Sequence, residues 1–519
     1  MRRLCGVETE YGIQVDGVED MDVVVESMEL IRCYSHKDFV AIWNYALENP
    51  RLDMRGFEVD QLRNDIDETL HLQKDRQRQI PLKDFKSDLI IHNGARLYND
   101  HTHPEFSTPE CYGINDLVAV DRAGERILLQ CARQRTATRD GGVVRLYKNN
   151  TDFEGHSYGC HENFLISRAI PFQQVIDGLL PFVVTRQIFA GAGKVGVEQD
   201  HRVRAATYQL AQRADFFEVI ASVDTMHRRP LVNTRDEPHA DETRYRRLHV
   251  IIGDANMSEY TTALKVGSAA LALDLLEEGQ LPALELADPI GALKNISRDE
   301  SLLWEVGLAD GGSTTALEIQ ASILAAAERL YKGRDDETDW VLAEWRGTLE
   351  ALGRDPQELI GRLDWVTKKW LLDAFAAAEG LDWENPADRS WLQSQDLEYH
   401  NIDPAEGLYL MLEQQGQMER MVAEEDVLRA MVDPPPDTRA YFRGKALQKF
   451  SASVHSLNWD SIEFAIDSRA QVIDLKGCVD EESAAYYNEA LDAADSVEDL
   501  FARLAPAPGP ASAKEASDG

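Results

Sequence analysis

The sequence predicts an α+β fold, on three observations. Short segments with period-two alternation fill the first half of the chain, several with charged residues gathered on one face. Helical patterns take over at 258–278 and dominate from 299 to about 379. Pro434-Pro435-Pro436 then breaks the pattern ahead of a smaller unit, in which 445–450 reads as helix and 457–464 as strand. The expected organisation is one catalytic domain over 1–430 with an inserted loop at about 48–88. A small C-terminal domain over 431–504 and a disordered, Ala/Pro-rich tail over 505–519 complete it.

With 54 basic against 91 acidic residues, the formal net charge is -37. A general nucleic-acid or anionic-membrane binder is thereby excluded. An acidic partner would need a local basic patch, and Arg122, Arg126, Arg133, Arg135, Arg139, Arg145 and Lys148 offer one in sequence. The six cysteines are scattered without a Cys-x-x-Cys pair, which suits free thiols in a reducing compartment. Glu8 and Glu10 arrive before any apolar stretch could form a signal peptide, and no run reaches membrane-spanning length. The expectation is a cytoplasmic monomer, in which the sequons at Asn149, Asn256 and Asn295 carry no weight.

Residues 6–13 read as one strand with Glu8, Glu10 and Gly12 on a single face. Adjacent carboxylates repel unless a cation lies between them. Helical spacing follows over about 19–47. The charge-dense insertion at 48–88 reads as a mobile lid, since loops of that length are functional or disordered. The segment 91–111 is too polar for a core strand. Extended, it places Arg96, Tyr98 and Asp100 on one face, and Glu105 follows. Residues 142–148 form a further strand. The strand at 157–166 sends His161, Asn163 and Leu165 to one side; Cys160 beside His161 points the other way and makes no dyad.

Gly191 to Gly196 has dinucleotide-fingerprint spacing without the flanking strand and helix, so it reads as a turn. The stretch 233–241 brings Arg235, His239 and Asp241 close together. A strand at 248–253, apolar apart from His249, leads to a helix at 258–278 capped by Asp254 or Asn256. Glu8, Glu10, Glu105, His161 and His239, with Tyr98 possible, form an oxygen-rich ligand set suited to Mg²⁺ or Mn²⁺. Arg96 and Arg235 beside such ions point to a polyphosphate. Asp100, with no structural duty, is the best candidate for nucleophile or base.

Six motifs carry a resemblance that covers most of the chain: 6–12, 93–100, 103–107, 147–152, 157–163 and 233–241. With them the chain resembles the Pup ligase and Pup deamidase/depupylase family of bacterial pupylation, similar in fold to glutamine synthetase and carboxylate-amine ligases. The resemblance implies an antiparallel sheet cradle binding ATP, or ADP plus phosphate, with Mg²⁺. It implies that Glu8, Tyr98, Glu105, His161 and His239 hold Mg²⁺ with Glu10 nearby. Arg96, Asn163, Arg235, Asp241 and Trp459 would contact ATP, with Thr108 a further candidate, and Asp100 would be the catalytic carboxylate.

The insertion at 48–88, Arg55-Gly56-Phe57 and the motif 437–444 resemble the hydrolytic branch. That branch converts the C-terminal Gln of Pup to Glu and removes Pup from conjugated lysines. The alternatives are a Pup ligase, a small-molecule carboxylate-amine ligase and a non-catalytic binding protein. Pup, disordered and acidic, would dock partly on the basic stretch 122–148.

Overall fold

The computed structural model describes residues 3–18, 21–34, 42–45, 48–63, 77, 80–153, 155–198, 206–225, 227–466 and 469–504. The strands that build the site are β1 (Cys5–Glu10), β2 (Ile42–Trp43), β3 (Leu89–Ile90), β4 (Arg96–Asp100), β5 (His103–Ser107), β6 (Cys160–Ser167) and β7 (Tyr245–Val250). The C-terminal strands are β8 (Val454–Asn458), β9 (Ser461–Ile466) and β10 (Arg469–Asp474). The helices used below are α1 (Val23–Ile31), α2 (Leu82–Lys86), α3 (Ile114–Thr138), α4 (Glu259–Glu277) and α5 (Arg439–Phe450).

The fold is α+β, as the sequence predicted. Its main sheet has six strands in the order β7-β6-β1-β5-β4-β3, every neighbouring pair antiparallel. One face is apolar because the strands alternate: Cys5, Val7 and Thr9 are buried on β1, and Cys160, Glu162, Phe164 and Ile166 on β6. Helices α3 and α4 pack against each other behind that face. Helix α4, Ala- and Leu-rich, is buried on nearly every side. The opposite face stays open and carries Glu8, Glu10, Tyr98, Asp100, His161 and Asn163. The cradle is therefore the polar side of a half-buried sheet.

The smaller C-terminal unit has its own apolar core, with Phe442, Leu447, Leu457, Ile462 and Phe464 packed around Trp43 and Ile90. Its sheet runs β10-β9-β8-β2, the last pair parallel, so Ile42–Trp43 is woven into it from far upstream. Helix α5 docks this unit onto the main sheet at Gly94, whose φ of +77° a side chain would strain. A Cβ there would stand 2.8 Å from the Ala440 carbonyl oxygen.

Several elements differ from expectation. Of the helix expected over 19–47, Val23–Ile31 is helical; Trp43 pairs in a strand and makes an edge contact with Trp459, ring centroids 5.4 Å apart, while residues 19–20, 35–41 and 46–47 lie outside the described residues. Residues 6–13 form two strands, the second (Gly12–Val15) pairing with Val144–Tyr147. Residues 457–464 form a hairpin that turns at Trp459–Asp460. Helix α4 is capped by Ser258, which accepts from the Thr261 amide; Asp254 instead accepts from the amides of Ala192, Gln212 and Arg213. Gly191 to Gly196 is a turn entering a two-residue strand.

The expected basic patch is overturned. Arg122 and Lys148 are buried in ion pairs with Glu125, Glu259, Glu413 and Asp121. Arg126 meets Glu424, Arg133 meets Asp403, Arg135 and Arg139 share Glu26, and Arg145 binds Asp16 and Glu406. Charges neutral in pairs make no anion-binding surface. The tail over 505–519 and the middle of the insertion (64–76 and 78–79) lie outside the described residues, and with them most of the expected lid. The six cysteines are free thiols. Among the described residues no helix is long and apolar enough to cross a membrane.

Candidate active site

Strand register assembles the site in two rows. Arg96, Ser107, Glu8 and His161 are successive cross-strand partners on β4, β5, β1 and β6. Two residues along, Tyr98, Glu105 and Glu10 form a second row, and Asp100 closes β4 opposite His103. Cross-strand neighbours lie about 5 Å apart, so same-face residues in a row converge.

In the first row one donor atom each of Glu8, His161 and His249 fall within 4.8 Å of one another. His161 Nδ1 and His249 Nε2 each stand 3.4 Å from Glu8 Oε2. Asn163 Nδ2 donates to Glu8 Oε1 at 3.0 Å. Burial opposes charge on Glu8, but the two imidazoles and Arg247 hold its carboxyl well below the usual carboxylate range. Burial drops His249 to about 3 despite Glu8, so its imidazole is neutral. Neither His249 ring nitrogen has a hydrogen bond. A carboxylate facing two imidazoles is a donor set that fits a divalent cation.

The second row is all oxygen. One carboxylate oxygen each of Glu10, Asp100 and Glu105 lie within 4.8 Å of one another. Burial, then the charges of Asp100, Glu8 and Glu10, push the Glu105 carboxyl well above its usual range. Burial, then Glu105 and Asp100, push the Tyr98 phenol up. Three converging carboxylate oxygens fit a hard cation such as Mg²⁺. Asp100 behaves oppositely. Burial opposes its charge, but Lys86 and then His101 hold it well below the carboxylate range. Lys86 Nζ donates to Asp100 Oδ1 at 2.6 Å, and His101 Nδ1 lies 3.3 Å from the same oxygen.

Beside the first row is an open cavity. Glu8, Thr108, Asn163, His239, Arg247, Arg439 and Trp459 line it, with Phe164, Leu165 and Pro238 as an apolar wall. That combination of flat apolar wall, aromatic ring and guanidiniums can hold a nucleotide. Thr108 Oγ1 accepts from the Val7 amide at 3.0 Å. His239 sits at φ +48°, and burial, with Arg247 and Arg439 nearby, keeps it neutral. Arg96 is sandwiched between the rings of Trp43 and Tyr98, each 4.0 Å from its guanidinium carbon, and donates to Asp88 Oδ1.

Two expected ligands point elsewhere. Arg235 donates to the Val223 carbonyl and the Thr225 hydroxyl, both at 3.1 Å. Asp241 is spent on the Thr243 amide and hydroxyl in a surface turn. Four residues of the arrangement were not among those expected from sequence: Arg247, His249, Lys86 in the insertion, and Arg439. A signal existed for His249 in its period-two spacing from Arg247, and for Arg439 in the motif 437–444.

The model of the family described as Pup-ligase protein matches residues 3–463. The depupylase of Acidothermus cellulolyticus is 44% identical over 483 residues, covering 90% of this chain and 92% of its own. The Pup deamidase/depupylase of Mycolicibacterium smegmatis is 40% identical over 97% of this chain and 100% of its own. Among solved structures, the Pup ligase PafA in complex with Pup superposes with a TM-score of 0.77 at 31% identity, covering 98% of this chain and 96% of that one. The same ligase in complex with ADP gives 0.71 at 33% identity, covering 84% and 96%. A match this long, over the strands and turns that hold both ligand rows, has one meaning: the chain belongs to the Pup-ligase protein family.

Proposed function

We propose that the protein hydrolyses amide bonds at the C-terminus of Pup, the prokaryotic ubiquitin-like protein. It deamidates a C-terminal Gln to Glu and cleaves the isopeptide bond joining Pup to a substrate lysine. Relatives named for depupylation and deamidation align over nine-tenths or more of the chain, and they support the hydrolytic branch over ligation. The observation that carries the reading is Asp100, an ionised carboxylate beside two metal-competent donor sets.

Asp100 supplies the carboxylate that adds to the amide carbonyl, directly or through the water it orients. The water oxygen ends on the carbonyl carbon, and the C–N bond breaks. Nitrogen leaves as ammonia from Gln or as the lysine ε-amine from a conjugate. ADP in the related ligase supports a nucleotide in the cavity, with Asn163, Thr108, Arg439 and Trp459 around it and Arg96 near its phosphates. Glu8, His161, His249 and His239 would hold one Mg²⁺, and Glu10, Glu105 and Tyr98 another. When bound, metal and phosphate supply positive charge and order for the developing oxyanion.

Ammonia release from Gln-ending Pup, and lysine-amine release from a conjugate, are the decisive assays. Asp100→Asn, with one oxygen replaced and the fold kept, should lose activity by at least about 10³-fold in kcat. Activity within tenfold of wild type would sink the assignment. ATP turnover with conjugate formation from Glu-ending Pup would identify a ligase.

A further inference from the structure

The far end of the insertion is fastened to the strand that bears Asp100. Three contacts do this in sequence order. The Asn99 side-chain amide donates to the Phe85 carbonyl at 3.1 Å, Lys86 Nζ donates to Asp100 Oδ1 at 2.6 Å, and Asp88 accepts from Arg96 Nε at 2.9 Å. From behind, Arg32 donates to the Asp84 carbonyl at 3.2 Å. The near end of the insertion is tied to the opposite wall, where the Met54 amide donates to the Thr234 carbonyl and the Asp236 amide to the Leu52 carbonyl, at 2.7 and 2.9 Å. The insertion thus grips the site at both ends.

Lys86 is the one of these contacts that touches the reacting group. Its ammonium is 17% exposed, with the Tyr98 ring 5.4 Å away on one side and the carboxylate on the other. The Lys86 and His101 contacts of Asp100 both go to Oδ1. Left alone among Glu10 and Glu105, an aspartate side chain would swing away from like charge. A fixed cation on one oxygen prevents this and fixes the rotamer that presents the other.

We propose that Lys86 is a positioning residue of the hydrolytic reaction, clamping Asp100 through Oδ1 so that Oδ2 is aimed at the amide carbonyl. It acts through Asp100 and touches no substrate. The insertion thereby gains a catalytic duty: its last helical turn delivers the cation. A lysine poised as a plug, vacating the site for the substrate's own lysine, would need slack; the contacts at Phe85 and Asp88 on either side remove it. This inference rests on Asp100 being the reacting carboxylate.

The test compares wild type with Lys86→Met, Lys86→Arg and Asp100→Asn in ammonia release from Gln-ending Pup. Methionine keeps the aliphatic stem and removes the charge. The expected result for Lys86→Met is a fall in kcat of about 10²-fold, the scale of a misaimed reacting group. KM for Pup and the affinity for ADP should stay within about twofold, and Lys86→Arg should recover much of the loss. An unchanged or increased kcat in Lys86→Met would overturn the proposal, as would an equal loss in KM and ADP affinity or an arginine variant no better than methionine. Should Lys86→Met not fold, the arginine variant decides alone: a kcat fallen as far as that of Asp100→Asn would overturn it. If Asp100→Asn itself keeps activity, the fault lies with the assignment of Asp100 rather than with Lys86.

Discussion

Gly159 explains how tightly the reacting residues are packed. It precedes β6, its carbonyl accepts from the Glu10 amide, and a Cβ placed on it would run into the His161 ring first and stand 2.7 Å from Glu10 Oε1. No side chain fits without displacing that imidazole and carboxylate. Gly159→Ala should therefore lower kcat by about tenfold or more while leaving the melting temperature nearly unchanged, since the strain falls on open-face side chains rather than on the core. A combined kinetic and thermal-shift measurement checks it; a large loss of stability with normal kcat would contradict it. The same scale explains which residues sequence could name. Alternation alone put Glu8 with Glu10, Arg96 with Tyr98 and Asp100, and His161 with Asn163, because a strand's period of two is local. Lys86 was illegible, for it reaches the site from an element whose own pattern records nothing of it, and Arg439 was marked only as part of the motif 437–444, without a role.

At the scale of elements, one carboxylate holds the two units together. Glu110 follows β5 and receives Arg439 Nε at 2.7 Å and Arg443 Nη2 at 2.6 Å from α5. Arg443 also donates to the Gly94 carbonyl at 2.8 Å, fixing α5 on the turn before β4. Burial works against this charge, but the two guanidiniums bring the Glu110 carboxyl from 4.5 down to about 2. Because the folded value is depressed, the contribution is complete above the unfolded value and is lost as pH falls through about 2. Glu110→Gln should thus destabilise the protein at pH 7, and the gap to wild type should shrink as the pH is lowered below about 4.5. Denaturant unfolding at stepped pH measures it. Glu110→Ala, leaving buried guanidiniums unpaired, should cost about 3–5 kcal/mol. Trp43 belongs at this scale too: a residue inside a helical sequence pattern is held by sheet pairing and by core packing instead, a tertiary override of local preference.

Across the whole molecule the net charge is -37, and the site adds a local cluster of carboxylates, Glu8 in one row and Glu10, Asp100 and Glu105 in the other. Ligands that bring positive charge there should stabilise the fold by mass action, about 2.7 kcal/mol at a hundred times the dissociation constant. Mg²⁺ with ADP should therefore raise the melting temperature, EDTA should reverse the shift, and Glu8→Gln or Glu105→Gln should abolish most of it. A shift unaffected by both substitutions would place the ligand elsewhere. The arginines of 122–148 belong to this scale as well, since pairing with Glu26, Asp403, Glu406, Glu413 and Glu424 turns a sequence cluster into ties between distant elements. Charge reversal at Arg139 or Arg145 then acts on stability first.

By itself the sequence determined the α+β class, the faces of the ligand-bearing strands and the family motifs, which rest on patterns local to each segment. The tertiary structure decided the rest. It aligned Glu8 with His161, 153 residues apart, recruited His249 in place of a core assignment, cancelled the basic patch and brought Lys86 onto Asp100. Register between strands is set by backbone hydrogen bonds and by the burial of the far face, and neither is written in any one segment.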